Sequence, residues 1–167
     1  LLGSMPDWTK LLEQIKNTLH FRKQAQDAPA TSILGLSWGY AAQVSSKAAQ
    51  AIAAGKDQAL ITLYTQAATC WQNAALAGNN ACFWNMGAEA FYHAGLETHK
   101  PPAERNQAAI TLYTQAATCF QNAAQAQAAN NMYLAFSWRL VGMAFNGAAR
   151  EILKPASERN QAAITLY

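Results

Sequence analysis

Apolar and polar residues follow one another along this chain with the period of an α-helix. In the first segment, for example, Trp8, Leu11, Leu12, Ile15 and Leu19 recur at helical spacings. Patterns with this period continue to the end of the chain. No stretch alternates with a period of two, and no Asn-Gly turn joins two such stretches. The sequence therefore predicts an all-α protein.

Turn-forming residues divide the pattern into about seven helices. Asp7 and Asp57 are predicted to cap the first and third helices, and Thr31 or Ser32 the second. Gly55 is predicted to end the second helix in the left-handed conformation. The breaks between helices are Pro29, Gly55, residues 78–80, 100–102, 130–131 and 154–155.

One helical segment is repeated almost letter for letter. ALITLYTQAATCWQNAA at 59–75 returns as AAITLYTQAATCFQNAA at 108–124, and a third copy begins at Ala162. Ile61, Ile110 and Ile164 mark periods of 49 and 54 residues. With two helices in each unit, such periods are typical of an α-solenoid.

The repeat gives a division of the chain into five parts. Residues 1–4 are interpreted as a remnant of recombinant expression, and the sequence as a fragment that stops inside a repeat. The parts are the remnant 1–4, a capping helix at 5–28, repeat 1 at 31–77, repeat 2 at 79–127 and a truncated repeat 3 at 130–167.

The repeated helix is predicted to pack through small residues and one large ring. Ala67, Cys70 and Ala74 share a face with Trp71, and Phe120 replaces Trp71 in the second copy. The preceding helices carry a tryptophan at corresponding places, which predicts three core positions: Trp38, Trp84 and Trp138.

These positions resemble the tetratricopeptide (TPR) code. Its first helix is matched by Trp138, Val141, Gly142 and Phe145, and more loosely by the helix that contains Trp84. Its second helix is matched by Ala67, Trp71, Ala74 and by Ala116, Phe120, Ala123. The units exceed the 34 residues of a TPR, and the phrase LYTQAATCFQNAA also looks like SNAP-type trafficking adaptors. The resemblance implies a right-handed solenoid of helical hairpins.

Composition narrows the function classes. Charged residues make up 13% of the chain and the net charge is +3, too small and scattered to predict nucleic-acid binding. No continuously apolar stretch is long enough for a membrane span. The odd number of cysteines, without CxxC spacing, favours reduced and buried thiols and is consistent with a cytoplasmic protein: Cys70, Cys82 and Cys119.

The sequence offers no arrangement for catalysis or for a cofactor. His93 and His99 do not share a helix face, and Cys82 and His93 lack a third metal ligand. GxSxG, GxGxxG and P-loop signatures are absent. We therefore predict a non-enzymatic protein that binds neither metal nor cofactor.

In TPR-like stacks the first helix of each unit lines a concave groove, so residues beside the packing code are predicted to bind a protein or peptide partner. They do not reproduce the carboxylate clamp of chaperone-binding TPRs. The predicted residues are Lys47, Asn85, Glu89, Tyr92, His93, Arg139, Met143 and Asn146. An ordinary solvated face is the alternative for each of them.

Two further functions stay open. The chain could carry a lipid or other small molecule in a slot lined by Phe83, Met86, Tyr133 and Phe136, or serve as the targeting region of a larger enzyme. The truncated repeat could also form a homo-oligomer. Threonines and glutamines recur between copies, which indicates either recent duplication or a surface used twice: Thr62, Thr65, Gln66, Thr69, Gln72 and Thr111, Thr114, Gln115, Thr118, Gln121.

Overall fold

The computed structural model describes residues 5–29, 33–161 and 164, and these form helices and turns without a strand. The prediction of an all-α protein is confirmed. Gln161 and Ile164 are helical, but most of the predicted seventh helix lies outside the described residues, as do the proposed cap at 31–32 and residues 1–4. Six α-helices are described: α1 (Trp8–Asp27), α2 (Ile33–Ala53), α3 (Gln58–Ala77), α4 (Cys82–His99), α5 (Gln107–Ala128) and α6 (Met132–Leu153).

Side-chain caps begin four of these helices. As predicted, Asp7 and Asp57 each accept a hydrogen bond at 3.2 Å from the amide three residues later. Asn106 and Asn131 do the same for α5 and α6, at 3.0 and 3.1 Å. Gly55 has a φ of 66° and ends α2 in the left-handed region, as predicted. Local sequence thus sets these helix boundaries.

Each helix packs mainly against the helices before and after it in the sequence. Contacts between alternate helices show that α2, α4 and α6 lie on one side. Lys47 of α2 lies over the Tyr92 ring of α4 at 5.9 Å, and Phe83 of α4 meets Phe136 of α6 edge to face at 6.3 Å.

The other three helices lie on the opposite side. Lys10 of α1 donates to Gln58 of α3 at 3.4 Å, and Gln121 of α5 donates to the Cys70 sulfur of α3 at 3.4 Å. Helices α1, α3 and α5 therefore form a second layer, which packs against the first through an alanine-rich core. No helix in the described part of the chain combines the length and apolarity needed to cross a membrane.

The repeated helix buries the positions that its pattern predicts. Ala67, Cys70, Trp71 and Ala74 are buried in α3, and their counterparts Ala116, Cys119, Phe120 and Ala123 are buried in α5. The recurring threonines are satisfied within their own helix. Thr65 and Thr114 each donate to the carbonyl four residues earlier at 2.8 Å.

The tryptophans of the other layer are less buried than predicted. Trp38, Trp84 and Trp138 are only half-buried, although all three pack against the core. Trp38 stacks on Phe21 of α1 at 5.7 Å. An indole this large, at the edge of a layer, keeps part of its ring in solvent.

Helix α1 turns its apolar stripe away from the core. Trp8 is 57% exposed, and Leu12, Ile15 and Leu19 are exposed with it. The buried positions are Gln14, Thr18 and Phe21. The Thr18 hydroxyl donates to the Gln14 carbonyl at 2.8 Å, so its burial leaves no unpaired donor. The periodicity predicted the helix but not the face that packs.

The cysteines divide into two kinds. Cys70 and Cys119 are buried free thiols, as predicted, and burial raises the pKa of Cys70 to about 12 despite the opposing hydrogen bond from Gln121. The prediction that Cys82 is buried was wrong. Cys82 is the first residue of α4, where the side chain faces outward from the start of the helix.

One turn occurs twice with the same hydrogen bonds. After α4, Glu97 accepts from the Asn106 amide at 2.9 Å and pairs with Lys100 at 2.7 Å. Arg105 Nε donates to the Lys100 carbonyl at 2.8 Å. The turn after α6 repeats all three contacts, with Glu151, Lys154, Arg159 and Asn160 in the same roles.

Candidate partner-binding groove

A hollow of about 360 Å³ lies between α2 and α4, with α3 as its floor. We call it the aromatic groove, since three rings contribute to its walls and floor. Hollows lined by aromatic and polar groups are the usual places where proteins bind ligands or side chains of a partner. The lining residues are Tyr40, Gln43, Val44, Trp71, Glu89, Tyr92 and His93.

The three rings form a continuous surface. Trp71 is 6% exposed and lies between the other two, with ring centroids 5.3 Å from Tyr40 and 5.9 Å from Tyr92. Tyr40 is 45% exposed. A buried indole flanked by two accessible phenol rings offers an apolar contact surface whose hydroxyls can bond to a partner.

A larger hollow of about 680 Å³ continues from the aromatic groove along the same two helices. Glu89 lines both hollows, so they are contiguous at this residue. The walls of the larger hollow also include Ser37 of α2 and Asn85 of α4, which form a 3.4 Å hydrogen bond with each other. Together the hollows make an elongated surface with apolar walls and a few polar groups: Leu34, Ala74, Gly78, Asn79, Ala81, Cys82 and Met86 complete the lining.

His93 lies at one end of the aromatic groove. Its ring stacks on Tyr113 of α5, with centroids 5.3 Å apart and planes inclined by 28°. Burial lowers the pKa of His93, Arg150 lowers it further and Glu89 opposes them. The neutral imidazole, which has one donor and one acceptor nitrogen, is therefore favoured here.

The structure brings five of the eight predicted residues together. Asn85, Glu89, Tyr92 and His93 border the two hollows, and Lys47 lies over the Tyr92 ring.

The other three predicted residues lie on α6, in the same layer but outside both hollows. Arg139 and Asn146 are half-buried and Met143 is 44% exposed. The Asn146 Oδ1 atom is buried and has no hydrogen-bond partner among the described residues.

Four lining residues were not predicted from the sequence: Tyr40, Gln43, Val44 and Trp71. Trp71 was assigned to the core alone, although its ring edge also forms the groove floor. The sequence does contain a signal for Tyr40, because the residue two places after each of the three tryptophans is large and apolar. Met86 and Leu140 hold the equivalent places. Gln43 is likewise equivalent to Glu89 and Met143.

The predicted slot for a small molecule takes a different form. Phe83 is buried, and its ring meets Phe136 edge to face. Tyr133 is 87% exposed, so it does not help to close a cavity. Met86 lines the larger hollow described above. Phe83 and Phe136 thus form a contact between α4 and α6, and Tyr133 lies outside it.

Among residues 5–29 and 33–161, no three His, Cys, Asp or Glu side chains lie close enough together to hold a metal ion. The buried thiol of Cys70 stays protonated at neutral pH because of its raised pKa, which disfavours nucleophilic attack. The chain matches no protein-family model, no curated protein and no solved structure.

Proposed function

We propose that this chain is a non-catalytic scaffold or adaptor that binds a protein or peptide partner. In this proposal the two layers form a TPR-like, right-handed solenoid, and α2, α4 and α6 line its binding face. The protein acts in the cytoplasm. The partner lies along α2 and α4 and reaches α6 through Arg139, Met143 and Asn146.

The observation that carries the proposal is the pair of contiguous hollows joined at Glu89. Their combined length suits an extended segment or a helix laid into a groove. Tyr40 and Tyr92 supply accessible rings of the kind that dominate binding energy at protein interfaces. Glu89 and His93 add an anionic group and a neutral donor and acceptor, which suit polar or basic residues of the partner.

The test uses peptides selected on the protein from a displayed random library. Their affinities are then measured for the parent chain and for Tyr92→Ala and Arg139→Ala. We expect Tyr92→Ala to weaken binding by about tenfold or more, since it removes a central ring. Arg139→Ala, at the predicted α6 end, should have a smaller effect.

Gln125→Ala is the matched control, because Gln125 is exposed on α5 in the opposite layer. It should leave the affinity unchanged. Circular dichroism checks that all variants keep their helical content. The proposal is wrong if no peptide can be selected, or if the selected peptides bind Tyr92→Ala and Arg139→Ala as tightly as the parent chain.

A further inference from the structure

Helices α4 and α6 are equivalent in sequence but differ in what covers them. Trp84 and Trp138 align them at an offset of 54 residues. Helix α4 packs between α3 and α5, whereas α6 packs against α5 on one side. The equivalence predicts that the other side of α6 is also built to receive a helix.

The face of α4 that receives α5 can be traced through two contacts. A β-carbon at Gly87 would lie 3.4 Å from the Ala117 carbonyl and 3.5 Å from the Phe120 β-carbon of α5. Ten residues later, Glu97 binds the Asn106 amide just before α5 begins. Gly87 and Glu97 therefore mark the part of α4 that contacts α5 and the residue that leads into it.

Burial confirms this face on α4. The side chains of Phe83, Ala90 and Phe91 are between 2% and 4% exposed, and Ala94 is fully buried. The equivalent residues of α6 are less covered except Ala148, which takes the place of Ala94 and is 1% exposed. Val141, in place of Gly87, is 45% exposed, while Ser137, Ala144 and Phe145 are half-buried. We call Ser137, Val141, Ala144 and Phe145 the α6 stripe.

The anchor for an incoming helix is already present beside the α6 stripe. Glu151 binds the Asn160 amide as Glu97 binds the Asn106 amide. The sequence then reads NQAAITLY from Asn160, as it does from Asn106. A β-carbon at position 87 would meet α5 at ordinary contact distances. The β-carbon of Val141, at the equivalent position of α6, therefore leaves room for a helix to approach in the same way.

We propose that the α6 stripe is a docking surface for a helix of the repeat sequence, in the register that Asn160 sets. The occupant is the segment that starts at Asn160, whose residues NQAAITLY repeat those that start at Asn106. Each helix of the α4 type is then a receptor for a helix of the α5 type. This inference is independent of the partner bound by the aromatic groove.

The experiment extends the 167-residue chain by the sequence of Thr114–Ala128, with serine at the cysteine position. Cys82→Ser removes an exposed thiol, and V141C places a probe in the stripe. Docking buries position 141, so we expect thiol labelling to slow by about tenfold or more. A scrambled extension of the same composition should leave the rate unchanged.

L140C is the matched control probe. Leu140 is 63% exposed, lies outside the α6 stripe and is equivalent to Met86, which lines the larger hollow. Its labelling rate should stay the same. A monomer that docks its own extension and a dimer that exchanges extensions both protect position 141, and both support the proposal.

Equal labelling of V141C with and without the extension would overturn the proposal. Equal protection at positions 140 and 141 would do so too, because it indicates unspecific collapse. If V141C fails to fold, amide hydrogen exchange of the unsubstituted α6 replaces the probe. Docking is then expected to slow exchange only with the repeat extension, and unchanged exchange overturns the proposal.

Discussion

The α3/α4 and α5/α6 contacts use the same repeated helix but place a glycine against an aromatic ring at different positions. Between α3 and α4, a β-carbon at Gly95 would lie 2.7 Å from the Tyr64 ring. Between α5 and α6, a β-carbon at Gly142 would lie 2.9 Å from the Phe120 ring. Real β-carbons do not approach rings this closely, so each contact requires a glycine.

The two glycines are not equivalent in the repeat. The position of Gly95 is Ala149 in α6, and the position of Gly142 is Ala88 in α4. The glycine that meets a ring therefore moves by seven residues, or about two helical turns. Trp71 contributes to the aromatic groove, whereas Phe120 lies beneath Gly142. The different glycine positions of α4 and α6 thus give the nearly identical segments of α3 and α5 different contacts.

Exchanging the rings of Trp71 and Phe120 is expected to have the largest effect on stability. Phe120→Trp places a larger ring beneath Gly142, where the present ring is already 1% exposed and tightly enclosed. We expect a loss of about 2–3 kcal/mol in the free energy of unfolding, measured by urea denaturation. Trp71→Phe should cost no more than about 1.5 kcal/mol. Equal losses for both changes would contradict the distinction between the contacts.

Adding a methyl group at Gly142 should have the next largest effect. Gly142→Ala gains helix propensity but forces the Phe120 ring to move, and we expect a net loss of about 1–2 kcal/mol in thermal or urea unfolding. Gly147→Ala is the control on the same helix, since no atom lies within 4 Å of its β-carbon. That change should stabilise the protein by up to about 1 kcal/mol. Stabilisation by both changes would show that the contact tolerates a methyl group.

The repeated turn offers a third comparison. The Glu97 side chain is 5% exposed and Glu151 is 13% exposed, although their partners are equivalent. Glu97→Gln keeps an acceptor for the Asn106 amide but loses the charge that pairs with Lys100. We expect it to lower the free energy of unfolding by about 1 kcal/mol. Glu151→Gln, at the more open turn, should lower it less.

The smallest expected effect concerns pH. The pKa of His93 is lowered in the folded protein, so the unfolded chain binds more protons as the pH falls. Its contribution to stability is present above the unfolded pKa of about 6.5 and is lost as the pH falls toward the folded pKa.

His93→Gln should make unfolding less dependent on pH between about 7 and 5, by well under 1 kcal/mol because solvent screens this partly exposed ring. Urea denaturation at a series of pH values measures the effect. His99→Gln, at the exposed end of α4, controls for the loss of an imidazole. An unchanged pH profile for His93→Gln would contradict the role of its buried contacts.

The candidate groove could be predicted in part. Glu89, Tyr92 and His93 follow from their places beside the packing positions of α4. Trp71 could not be assigned in the same way. Its place in the groove depends on how far apart α2 and α4 stand over α3, and helix periodicity does not contain that spacing.

The helices, the caps at Asp7 and Asp57 and the buried positions of the repeated segment follow from the residue pattern alone. Those features depend on contacts within a few residues: Asp57 with an amide three residues away, Gly55 in its left-handed turn, and small residues at i+3 and i+4 spacing. The packing of the helices sets which way α1 faces, how much of each tryptophan is covered and which glycine meets an aromatic ring. These features depend on which neighbour covers each face. Phe91 of α4 is therefore buried, whereas the equivalent Phe145 of α6 is half-buried.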